Sequence, residues 1–130
     1  MYKTLLSRSL VLAVCLSFSA LASAQQFNVL LFTKTNDAVD AMETLAEKHH
    51  FNVDWHEDAS RINTESLQQY DVIMFMLTTG NVLNDEQQVA MEEFIQSGKG
   101  FVGVHSASDT EYDWEWYTRM VGRMFHIHPV

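Results

Sequence analysis

The 130-residue chain has little of several things, and each shortage excludes a class of function. It holds one cysteine, Cys15, which falls inside residues 1–24. That segment reads as an export leader: Lys3 and Arg8 form a positive start, residues 10–18 an apolar core, and Ala22-Ser23-Ala24 a small-residue cleavage site. A lipoprotein signal is the weaker alternative, because Cys15 lies inside the apolar run behind bulky Val14. The run is also well short of the roughly 20 residues that a membrane span needs. Cleavage between Ala24 and Gln25 leaves no cysteine, which excludes disulfides and thiol catalysis. Export without staples points to a periplasmic or secreted domain held by its core alone.

Positive charge is scarce as well. Residues 25–130 carry all seventeen acids but only six of the eight Lys and Arg, and six minus seventeen gives a formal charge of −11. Such a surface has no electrostatic reason to seek nucleic acid or, once the leader is gone, an anionic membrane. There is no internal repeat, low-complexity tract or linker. At about 100 residues the remainder is a single domain.

What is present alternates. Residues 27–32 (FNVLLF) read as a buried strand, and Asp37 as the cap of a helix running to about His49 with Val39, Met42 and Ala46 inward. Residues 51–56 (FNVDWH) alternate apolar and polar, as a half-exposed edge strand does. A short helical turn opens at Asn63, and residues 71–76 (DVIMFM) form a third strand. Asn84, with Gln87 three residues on, forms a capping box for a helix that Gly98 closes. Residues 101–105 are the fourth strand, apolar as if buried on both faces, and residues 114–122 the fourth helix. This βαβαβαβα order predicts an α/β fold with a parallel sheet and helices on both faces. Ligands then bind beyond the carboxyl ends of the strands.

The densest signal is GFVGVHSASDTEYDWEWY, residues 100–117. Gly103 and Ala107 flank His105 at two residues on either side, the pattern of a nucleophile elbow in which a strand turns sharply into a helix. Together with DVIMF, the Thr78-Thr79-Gly80 turn, LNDEQ, Gly122 and His128-Pro129, this stretch resembles the trehalose-utilisation (ThuA-like) family. The resemblance implies a flavodoxin-like, class I glutamine amidotransferase-like sheet and a role in sugar or glycoside catabolism. His105 stands where amidotransferases carry cysteine, so glutaminase chemistry is not implied. Members carry a longer loop with a histidine after the first strand, and they continue past the His-Pro pair. The chain is therefore expected to be the amino-terminal part of a larger domain.

Imidazole is the side chain that titrates near neutral pH, so His105 is the candidate acid/base residue on a modified glycoside; a turn histidine bonded to backbone is the plainer role. Asp109 is its candidate partner, or an Asx turn. Thr79, Asn81 and Ser106 offer neutral polar groups to a small carbohydrate, and Trp114 an apolar face on which a sugar ring can stack. They could equally satisfy the helix start and the core. His105, His126 and His128 could make a three-histidine zinc site, but His-x-His alone is a weak pattern. No cofactor is assigned, and weak or no zinc is expected. The absence of recognisably paired carboxylates lowers the case for ordinary glycoside hydrolysis, and a non-catalytic sugar-binding or vestigial module is the alternative. If the strand order is flavodoxin-like, the fourth strand is an uncharged open edge, and self-association through it is expected.

Overall fold

The computed structural model describes residues 26–128. The leader read at residues 1–24 lies outside the described residues, as does residue 129 of the His-Pro pair. The elements in order are β1 (Asn28–Phe32), α1 (Asn36–His49), β2 (Asn52–His56), α2 (Thr64–Leu67), β3 (Val72–Phe75), α3 (Asp85–Gln96), β4 (Gly100–Gly103) and α4 (Glu115–Val121). Single 3₁₀ turns at Ala59–Arg61 and Ala107–Asp109 precede α2 and α4. All three strand pairings are parallel, in the order β2-β1-β3-β4. The switch in strand order therefore falls between β1 and β3.

Side chains two residues apart along a strand share a face, and both faces of the central strands are covered. Leu30 and Phe32 of β1, with Ile73 and Phe75 of β3, meet Leu67, Met91, Phe94 and Tyr117 from α2, α3 and α4. On the other face Leu31 meets Val39 and Met42 of α1, with Trp55 and Met74 packed alongside. Burial on both sides is why residues 27–32 show no alternation. β2 alternates because it is an edge.

β4 departs from expectation. It reads as buried on both faces, yet Val102 is 40% exposed and Val104, just past its end, 37%. Phe101 packs on the core shared by α3 and α4. The helix on the opposite face, α1, reaches as far as Met74 and Met76, and no described element lies beyond. An uncovered strand and a fully buried one carry the same apolar sequence; only the neighbours differ.

The helix ends mostly follow the sequence. Asn84 and Gln87 form the reciprocal box, each side chain 2.9 Å from the other's backbone N–H. Asn63 caps α2 by accepting from Ser66 N at 2.8 Å. α1 corrects the reading of Asp37: Thr35 is the N-cap, without a side-chain bond, and Asp37 lies within the first turn as a dipole complement. The amino ends of three strands are tied through Asp71, whose carboxylate accepts from Asn28 N at 2.9 Å and Lys99 Nζ at 2.7 Å.

That tie makes stability depend on pH. The hydrogen bond from Lys99, then that from Asn28, holds Asp71 below its ordinary value. Its contribution is complete above the unfolded carboxylate range, about pH 4, and is lost as pH falls through the lower folded value. Urea midpoints of wild type and Asp71→Asn should differ most at neutral pH and converge below about pH 4. A gap that widens on acidification would contradict this. The open β4 edge carries a second expectation: light scattering of the protein alone should show dimers or larger species. A monomer at all concentrations would mean the edge is blunted by another route.

Candidate functional site

Three loops meet beyond the carboxyl ends of β1, β3 and β4: residues 33–35, 76–84 and 104–114. The last holds the elbow. A Cβ added to Gly103 would stand 3.0 Å from the Ala107 Cβ and 3.3 Å from the Phe101 ring, so the small residues flanking His105 do meet each other. Val104 N donates to Phe75 O, Leu77 N to His105 O, and Ala107 N to Val104 O, each at 2.8 Å. The Tyr117 hydroxyl holds Ala107 O from below, also at 2.8 Å. The His105–Ser106 peptide bond is cis. His105 thus sits two residues past the last residue of β4, with its side chain exposed. It lines a pocket of about 280 Å³ with Phe101, Val104, Ser108 and Val121.

The chain does not turn from the elbow straight into a helix, as the pattern predicts. After the 3₁₀ turn it runs back to the 76–84 loop and forms a parallel bridge between Thr110 and Gly80. Gly80 N donates to Asp109 O at 2.8 Å and Glu111 N to Gly80 O at 3.0 Å. The hydroxyls of Thr78 and Thr110 pair at 2.8 Å, both buried. α4 begins only at Glu115, so no helix start points at His105.

The decisive residue in this return is one the sequence reading passed over. Glu111 is 1% exposed and has φ 57. Its Oε1 accepts from Val82 N at 2.6 Å and Leu83 N at 2.8 Å, and its Oε2 from Gln88 Nε2 at 2.7 Å. A carboxylate is buried at tolerable cost only when donors surround it. In sequence it stands among Asp109, Asp113 and Glu115, and nothing local distinguishes it from them.

The other candidates are distributed as follows. Thr79 lines a cavity of about 60 Å³ at the switch point with Thr33, Lys34, Leu77 and Thr78, while His105 lines the separate pocket beside β4. The Ser106 hydroxyl donates to Thr78 O at 3.1 Å, joining the two loops. Asn81 Nδ2 donates to Asp113 Oδ2 at 2.8 Å. Asp109 faces the Tyr112 hydroxyl, not the imidazole, and that hydrogen bond pushes the tyrosine pKa up. Trp114 is half-buried and stacks on Trp116 at 5.1 Å and on Tyr117 at 5.8 Å. His128 packs on the Phe125 ring at 4.9 Å. Among the described residues no three His, Cys, Asp or Glu side chains converge, so His105, His126 and His128 are not brought together. A larger cleft of about 340 Å³, lined by Leu67, Ala90, Phe94 and Lys99, lies at the opposite end of the sheet from these loops.

A four-stranded parallel sheet in flavodoxin-like order, with helices on both faces and a tight turn after its fourth strand, defines an α/β domain. The family model described as trehalose utilisation (ThuA) matches residues 28–130, and the chain belongs to that family. Among solved structures, it is similar to a ThuA-like protein from Bacteroides uniformis, with a TM-score of 0.67 and 24% identity. The match covers 82% of this chain and 48% of that one, so the chain spans about half the length of its structural relative. No curated protein matches it.

The elbow's packing can be checked directly. Gly103→Ala should lower stability by about 1–3 kcal/mol, the usual cost of forcing a methyl into a filled space. The double variant with Ala107→Gly should recover part of that loss, because the two methyls then no longer meet. Urea unfolding of the three proteins gives the answer, and a Gly103→Ala variant as stable as wild type would refute the contact.

Proposed function

We propose that this is an exported carbohydrate-binding ThuA domain of sugar or glycoside catabolism, with its ligand in the pocket beside His105. The observation that carries the reading is the composition of that pocket. Phe101, Val104 and Val121 give it apolar walls, and His105 and Ser108 supply polar groups. Small-ligand sites have this make-up, and about 280 Å³ approaches the lower end of their usual size, about 300 Å³. A sugar ring has apolar faces and a rim of hydroxyls, which suits such walls. The family's description, trehalose utilisation, supports the same ligand class. The strongly acidic surface disfavours anionic ligands. The leader supports a periplasmic or secreted location.

In this reading His105 exchanges a proton with a hydroxyl or the glycosidic oxygen of a modified glycoside. Ser106 and the 76–84 loop set the height of the imidazole above the sheet. One observation favours the alternative of a binding module without catalysis: Asp109, the candidate partner of His105, is engaged by Tyr112.

Calorimetry with trehalose and its monosaccharide unit tests the site. His105→Ala should weaken binding roughly five- to tenfold, the value of one hydrogen bond of ordinary strength. Equal affinity in the variant would move the ligand elsewhere, and wild type that binds no sugar would remove the proposal. Turnover of a modified glycoside, abolished in the variant, would decide for the enzyme over the binding module.

A further inference from the structure

We propose that Glu111 is a positioning residue whose buried carboxylate fixes the 76–84 loop, on which the turn at His105 rests through Leu77 N to His105 O and the Ser106 hydroxyl to Thr78 O. Any effect on a ligand beside His105 rests on the site reading above; the hold on the loop does not. Val82 and Leu83 precede the N-cap Asn84, so their N–H groups lie outside the hydrogen-bond ladder of α3. Oε1 of Glu111 takes both, at 2.6 and 2.8 Å, and Oε2 takes the Gln88 amide. Every partner is a donor, which an acceptor-only carboxylate satisfies completely. The same residue also holds the loop by its main chain, through Glu111 N to Gly80 O. Asn81, between these anchors, is fixed by Asp113. Residues 80–83 are thereby fastened at every position from one short segment, residues 111–113.

An apolar side chain of similar volume would fill the space and leave the N–H groups of Val82 and Leu83 without partners. Glu111→Gln and Glu111→Met therefore separate acceptor from packing. Amide hydrogen exchange should show Gln keeping the protection of Val82 and Leu83. In Met those two amides should exchange at least about tenfold faster, the equivalent of one lost hydrogen bond, while β1 and α1 keep their rates. Equal protection in Gln and Met, or uniform acceleration through the whole domain in Met, would overturn the proposal. Should the Met variant not fold, Glu111→Ala refolded in formate or in chloride decides. Recovery in formate alone supports the carboxylate's role, and no difference overturns it.

Trehalose affinity in the same samples reads the positioning. It should fall roughly fivefold or more in Met and hold in Gln, in step with loop protection. Lost protection with unchanged trehalose binding would show that Glu111 does not position the ligand site. Wild type that binds no trehalose would instead remove the site reading, and the exchange rates would still decide whether Glu111 holds the loop.

Discussion

The carboxylate of Glu111 is the constraint on which the carboxyl end of the sheet depends. An acid at 1% exposure is admitted only where its charge is met, and here two backbone N–H groups and one side-chain amide meet it. The bond network does more than offset a cost. It draws the segment after the elbow back across the end of β3, so that Thr110 can bridge Gly80 and the hydroxyls of Thr78 and Thr110 can pair away from water. α4 begins only at Glu115, after the 3₁₀ turn and this return. The elbow and the 76–84 loop are therefore one structure, joined by Ser106, Thr110 and Glu111.

The helices are shared unevenly between the two faces of the sheet. α2, α3 and α4 crowd one face, while among the described residues α1 alone serves the other. The exposed valines of β4 follow from that imbalance, and one of them, Val104, also lines the pocket beside His105. In this chain the apolar surface that would receive a sugar ring continues into the surface that would receive another strand. Ligand and protein neighbours at β4 would thus compete for adjoining area. The aromatic segment, by contrast, is spent on holding α4: Tyr117 lies against Phe75 and Phe101, and Trp114 stacks on its own neighbours.

The fold was legible because its signals are local. Strand and helix alternate in the hydrophobic pattern, Asn84 and Gln87 announce a helix start, and Gly103 and Ala107 announce a tight turn around His105. Each depends on residues within a few positions of one another, and parallel crossovers follow from the order of the elements. The motif residues were legible for the same reason. Which of them would share a cavity was not: Thr79 and His105 stand at the ends of different strands, and their separation depends on how the loops between those strands are packed. Asp37 failed as a cap because the helix begins two residues upstream, with Thr35 at the N-cap.

By itself, then, the sequence determined the order of elements, the parallel sheet, a tight turn at His105 and the family to which the chain belongs. Tertiary structure alone decided that β4 is half exposed, that Asp109 turns to Tyr112, and that Glu111 is buried. The physical reason is common to all three. An apolar strand, an aspartate and a glutamate each look the same in sequence whether covered or solvated. For β4 and Glu111 the environment is set by partners distant in the chain, at Met74 and at Val82 to Gln88; for Asp109 it is set by Tyr112, whose hydroxyl is itself placed by Phe125 O.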